Sequence, residues 1–194
     1  MKHKIKDIAD IQIGYQFRSK VEADRHGTYK VVQIRDFDDD QNLHIEGLYG
    51  VTPKGDLSRY TVNKDDVLFL SRGPRNYAIS LKIPLENTIA ASYFFILRIK
   101  ANKVLPDYLA WYINQAPAQE YLHKWARHGT HMPLIPLSAF ADLVVEVPAI
   151  KTQLTVVELS RLMDKEKMLL NELQEKRSQL IQAVCLKATK QRRS

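Results

Sequence analysis

Residues 151–187 read KTQLTVVELSRLMDKEKMLLNELQEKRSQLIQAVCLK, and this stretch decides how the chain is built. It holds no glycine and no proline; all seven glycines and all eight prolines lie before it. Taken at alternating spacings of three and four, Val156, Leu159, Met163, Glu166, Leu170, Leu173, Arg177, Leu180 and Val184 are apolar at seven of nine positions. That repeat predicts a coiled-coil seam along one helix from about Lys151 to Lys187. At 1.5 Å per residue the helix would run roughly 55 Å, far more than a small domain needs to cover its own sheet. Its stripe therefore requires another helix. Glu166 and Arg177 would face each other in an antiparallel pair of identical helices, an arrangement that speaks for register more than for stability.

Working back from this helix, Gly14, Gly27, Gly47, Gly50, Gly55, Gly73, Pro84, Pro106, Pro133 and Pro148 punctuate a body of different character. Between the breakers lie short runs rich in β-branched and aromatic residues, and these predict strands at Tyr29–Ile34, Asp66–Leu70, Ala78–Ile83, Ser92–Ile99 and Leu143–Val147. Helices are predicted from Pro106 to Asn114 and from about Ala118 to Trp125, the first opened by a proline at a favoured early position. The expected architecture is an α+β (mixed α/β) domain over residues 1–149, the long helix over 150–187 and a basic tail over 188–194.

The chain has 194 residues, 29 Lys+Arg against 22 Asp+Glu, and 45% hydrophobic residues, enough to bury a core. Composition excludes disorder, collagen-like repeats and a disulfide scaffold, since Cys185 is the single cysteine. The apolar run Ile89–Leu97 is half of what a bilayer-crossing helix needs, and the charged N-terminus does not read as a secretory signal, so a cytoplasmic protein is expected. The net charge of +7 is uneven: residues 1–150 hold 19 basic and 17 acidic side chains, residues 151–194 hold 10 and 5. A sequence-independent DNA coat would be basic throughout. Any nucleic acid must be met by local patches.

No phosphate-binding glycine loop occurs, because Ser71-Arg72-Gly73-Pro74 lacks both the second glycine and the Lys-Ser/Thr of a P-loop. No amino-methyltransferase or metal-dependent nuclease motif is present, and no catalytic residue is expected. Glu120, His123, His128 and His131 alone have spacing that could suit a metal, but lack a cysteine or second carboxylate, so no metal is expected.

Three segments carry donors suited to DNA. They are Gly14–Lys20 with Gln16, Arg18 and Lys20; Ser71–Tyr77 with Arg72, Arg75 and Asn76; and Lys124–His131 with Arg127, His128, Thr130 and His131. Arginine reads guanine bidentately and amides read adenine, whereas Ser, Thr and Lys suit phosphates. The second segment stands out, because its donors crowd a Gly-Pro turn directly after a buried strand.

The ordered motifs resemble the DNA specificity subunit of type I restriction-modification systems. The resemblance runs from Ile5-Lys6-Asp7-Ile8-Ala9-Asp10-Ile11 and Gly14, through Asn63-Lys64-Asp65-Asp66-Val67-Leu68-Phe69-Leu70-Ser71-Arg72-Gly73, to Ala90-Ala91-Ser92 and Leu105–Leu109. It continues with Gly129–Ile135 and with Val147-Pro148 followed by Gln153. Asp65 stands where the family usually has glycine, Ala149 replaces a second proline, and Thr152 replaces an acidic residue.

The family's subunits usually carry two target-recognition domains, each followed by a long helix, and the two helices pack antiparallel as a ruler. This chain carries one of each and looks like half a subunit. The resemblance implies a non-catalytic host-defence protein that binds one half of a bipartite site in double-stranded DNA. It implies a homodimer through Val156, Leu159, Met163, Leu170, Leu173, Leu180 and Val184, and recruitment of an adenine-N6 methyltransferase, with or without a restriction subunit. The chain itself would need no cofactor: S-adenosylmethionine would sit on the methyltransferase, and ATP and magnesium on any restriction subunit. The residues leave open a coiled-coil protein-interaction module that binds no DNA.

Overall fold

Val67-Leu68-Phe69-Leu70 is buried at every position, so this strand needs apolar cover on both of its faces. A computed structural model, describing residues 1–73, 75–100, 103–126 and 133–191 with side chains through residue 189, shows how the cover is supplied. The elements run β1 (Lys2–Lys4), α1 (Ile5–Ile8), β2 (Ala9–Ile13), β3 (Tyr29–Val32), β4 (Tyr49–Val51), β5 (Val67–Leu70), β6 (Ala78–Ser80), β7 (Thr88–Ala90) and β8 (Phe94–Ile99). There follow α2 (Pro106–Ile113), α3 (Ala116–Trp125), α4 (Leu137–Ala141), β9 (Val144–Glu146) and α5 (Ile150–Gln191). The α+β class expected from the sequence is the class found.

Strands β2, β8, β5 and β6 form an antiparallel sheet in that order, with Ile13 opposite Phe95 and Leu70 opposite Phe94. On one face Phe69 stacks on Phe140 of α4 at 4.3 Å, and Phe95 packs against the same ring. On the other face Leu68, Leu70, Phe94 and Ile96 join Val32 and Ala90 of a second sheet, ordered β4-β3-β7. Successive strand residues point to opposite faces. Val31, Ile89 and Ala91 accordingly bury their side chains on the far side of that small sheet, against Tyr15, Phe17 and Tyr60. Asn114 pairs with the backbone of Ala78 through both side-chain atoms, donating to its carbonyl and accepting from its N–H. The exposed edge of β6 is thereby tied to the end of α2.

Several predicted boundaries move for local reasons. The strand expected at Tyr29–Ile34 stops at Val32, because Asp36 accepts the Gln33 N–H and turns Ile34–Asp36 into a 3₁₀ turn. The strand expected at Ser92–Ile99 begins at Phe94, because Phe94 N–H closes a turn on Ala91 O. The helix expected at Ala118 starts at Ala116, with Pro117 in its first turn. Strands β1, β2, β4 and β7 and helices α1 and α4 were not expected.

The chain divides into two compact units, Met1–Leu154 and Thr155–Ser194. The first extends past the expected limit at residue 149 because Gln153, in the opening turn of α5, is fully buried. Its side chain accepts the Leu105 N–H at 2.9 Å and donates to Lys103 O and Pro148 O. In the second unit the helix leaves Leu159, Met163, Leu170, Leu173, Leu180 and Val184 each more than half exposed. No helix among the described residues is long and apolar enough to cross a membrane.

Candidate nucleic-acid interface

The first two donor-bearing segments leave the same end of the four-stranded sheet. Strands β2 and β5 both run antiparallel to β8 and flank it, so Gly14 and Ser71 emerge on either side of the point where β8 begins. Two strand spacings separate them, roughly 10 Å. The turn Ala91–Tyr93, which feeds β8, holds both. Gly14 N–H donates to Phe94 O at 2.9 Å, Tyr15 N–H to Ala90 O at 2.7 Å and Ser92 N–H to Tyr15 O at 2.9 Å. On the other side Ser71 donates to Tyr93 O with both its backbone N–H and its hydroxyl.

Residues 133–135, which follow the third segment in the chain, meet the same rim. Ile135 N–H donates to Ser71 O at 2.9 Å, Gly73 N–H to Pro133 O at 3.3 Å, and Arg72 bridges Leu134. Of that segment's candidates, Arg127, His128, Thr130 and His131 lie outside the described residues. Two histidines of the cluster weighed for a metal fall there too, and among the described residues no group of three or more ligating side chains occurs.

At the rim Gln16, Arg18, Lys20, Arg72 and Arg75 are exposed. Asn76 is not: it is 8% exposed, and its amide donates to Leu70 O at 2.8 Å. Together with the bond from Leu70 N–H to Tyr77 O, this clamps the base of the loop. Asn76, expected as an exposed reader, shapes the loop that presents Arg72 and Arg75.

A cation absent from the sequence reading joins the first segment. The Arg59 guanidinium lies over the Tyr60 ring, 4.8 Å from its centroid, and Tyr60 meets Tyr15 edge-on at 5.2 Å. Arg98 fixes this turn, donating to the carbonyls of Arg59 and Thr61. Nothing in the dipeptide Arg59-Tyr60 announces this, because the contact joins residues 45 positions apart. Beside the second segment the field is different: the turn Asp38–Asn42 brings Asp38 and Asp39 to a cleft that Arg75 also lines. Asp38 is held well below the ordinary carboxylate range, first by the side-chain and backbone N–H groups of Asn42. Tyr77, in the same cleft, has its phenol pushed up to about 12 by burial and by Asp38, so it stays protonated.

Loops gathered at one end of an antiparallel sheet, with a long helix following in the chain, form an arrangement that solved proteins share. An S subunit of a type I restriction-modification system from M. genitalium matches with a TM-score of 0.56 at 15% identity, over 85% of this chain and 39% of that one. The HsdS subunit from Thermoanaerobacter tengcongensis matches with a TM-score of 0.59 at 13% identity, over 86% and 37%. A chain from work on complex assembly and conformational transition of the type I R-M system gives 0.66 at 13% identity, over 91% and 41%. The likeness is one of fold, and the expected family resemblance holds at that level. This chain spans about two fifths of the length of the solved chains it matches. No family model and no curated protein matches it.

Proposed function

We propose that this chain is a half-length, non-catalytic specificity subunit that reads one half of a bipartite site in duplex DNA. The observation that supports it best is the convergence of two donor-bearing segments, far apart in sequence, on one rim of the sheet, where residues 133–135 meet the second of them. Arg18, Lys20, Arg59, Arg72 and Arg75 supply local positive charge to a body whose 19 basic and 17 acidic side chains nearly balance. Phosphate contacts would set position, and base-edge contacts would set sequence. Gln16, Arg18, Lys20, Arg72 and Arg75 at the rim offer amide, guanidinium and ammonium donors for both tasks.

The long helix supplies the partner surface. Two copies pairing antiparallel through Val156, Leu159, Met163, Leu170, Leu173, Leu180 and Val184 would bury the exposed seam and place Glu166 against Arg177. A two-fold pair presents identical readers, so its target would be an interrupted palindrome with a spacer set by helix length. Leu162 and Leu169, also more than half exposed, widen the stripe beyond what a two-helix seam uses. That width supports a second partner on the helix, an adenine-N6 DNA methyltransferase. The methyl donor, S-adenosylmethionine, would be bound there, and ATP and magnesium by any restriction subunit in the complex.

The test is to co-express the chain with a type I methyltransferase subunit, in a host free of DNA methylation, and to map modified adenines. Methylation at an interrupted palindrome is expected. An asymmetric bipartite site would replace the homodimer with a pair of different halves. A stable co-purified complex that leaves DNA unmethylated, and a chain with no salt-dependent affinity for duplex, would favour a protein-interaction module.

A further inference from the structure

The cleft beside the second loop has a wall that the proposed DNA-reading role does not yet use. Two adjoining cavities, of about 260 and 480 Å³, share Gln41, Arg75 and Tyr77 in their linings. Gln41 stands opposite the arginine loop at φ 68°, in the left-handed region that a long side chain rarely adopts. The turn holding it there is closed by Gln41 N–H to Asp38 O and Asp38 N–H to Asn42 O, and by Asn42 donating from backbone and side chain to the Asp38 carboxylate. Backbone strain kept in place by a dedicated clasp marks positions where a side chain is aimed.

Resting on the reading of this chain as a DNA specificity subunit, we propose that Gln41 is a specificity-determining residue. Its amide reads the edge of an adenine beside the base read by Arg75. The charge of the cleft selects the contact. Asp38, which His44 approaches at 3.3 Å, and Asp39 set carboxylates beside Arg75 and disfavour a phosphate in the cleft, whereas a base edge bearing an exocyclic amino group meets acceptors there. The amide of glutamine offers a donor and an acceptor side by side, the complement of adenine N6 and N7 in the major groove. The Gln41 amide and the Arg75 guanidinium line the same two cavities.

The experiment is enrichment from a random-sequence double-stranded DNA library by the full-length chain, repeated with Gln41→Gly and Gln41→Glu. Glycine accepts φ 68° without strain, so the first variant removes the amide while keeping the turn. The expected result is an adenine in the parent consensus whose preference relaxes roughly 5- to 100-fold in Gln41→Gly, with the other positions unchanged. In Gln41→Glu the same position should turn toward cytosine, whose N4 donates to a carboxylate. A parent consensus retained unaltered by both folded variants overturns the assignment of Gln41 and leaves the DNA-reading function standing. A parent chain that enriches nothing overturns both.

Discussion

Ser71 closes on Tyr93 twice, its backbone N–H and its hydroxyl both donating to the Tyr93 carbonyl at 2.9 Å. The arginine loop is thereby riveted to the turn that starts β8, and through that turn to the Gly14 loop on the far side. Ser71→Ala removes one of the two bonds in a buried setting and should cost about 1 kcal/mol, lowering Tm by roughly 2–4 °C. Gly14→Ala should cost more, because its Cβ would lie 2.2 Å from Ala91 O and 2.6 Å from Ala90 O, backbone atoms that cannot swing away. Thermal unfolding of the two variants side by side checks the order; a Gly14→Ala chain as stable as Ser71→Ala would contradict it.

Gln153 satisfies three backbone groups at the start of α5, with no water reaching its side chain. Truncation to alanine strands the Leu105 N–H and two carbonyls and should destabilise the first unit by about 2–3 kcal/mol. Urea denaturation followed by near-ultraviolet circular dichroism measures this directly. A loss below the resolution of that measurement would mean the three groups find other partners.

Asp65 sits at φ 70°, at the position where the resembled family usually carries glycine. Its side chain is exposed, and its backbone N–H donates to Leu81 O, a bond that glycine keeps. Asp65→Gly should therefore leave stability unchanged or raise it by about 0.5–1 kcal/mol, against the usual cost of introducing glycine. Equilibrium unfolding that shows a clear loss would refute a strained backbone here.

Asp66 and Asp36 respond to acid in the opposite sense from Asp142. Burial raises the pKa of Asp66 and of Asp36 above the ordinary 3.8, whereas hydrogen bonds from Lys6 and Lys4 lower that of Asp142. A group with a raised folded value binds more protons when folded, so its contribution to stability grows as pH falls through that value and is complete below the unfolded one. Asp142 contributes above its unfolded value and loses that contribution as pH falls through its depressed folded one. Asp66→Asn keeps an acceptor for the Asn63 N–H and removes the titration. The Tm difference between variant and parent should move in the parent's favour as pH drops from about 7 to about 4. A constant difference would show that Asp66 does not titrate in this range.

Leu170 and Leu173 lie at the middle of the exposed seam. Replacing both with lysine should turn the proposed homodimer into a monomer on sedimentation, with the unfolding of the first unit unaltered. Unchanged association would move the dimer contact off the seam.

The long helix was legible because its period and its lack of breakers are local properties of residues 151–187. Strands β5 and β8 were legible because Val67–Leu70 and Phe94–Ile99 are apolar enough to be recognised alone. Lys2–Lys4 carries no such signal: it is a strand only because it pairs with Val144–Glu146 at the other end of the domain. Thr88–Ala90 was hidden within the longer apolar run, its separation from β8 made by a turn and not by a breaker. For the interface, the residue types were visible but their meeting was not. Gly14, Ser71 and Pro133 come together through strand order and backbone bonds that no short window contains, and the same is true of Arg59 and Tyr15.

The segments at the rim are anchored chiefly through main-chain groups, with the Ser71 hydroxyl and the buried Asn76 amide as the exceptions. Main-chain anchors are indifferent to the side chains they carry. Under the proposed DNA-reading function, lineages of such a chain could therefore exchange one set of exposed residues for another, acquiring new targets while the scaffold beneath stays constant. Diversification of recognition and preservation of the framework are separated by where the bonds are made.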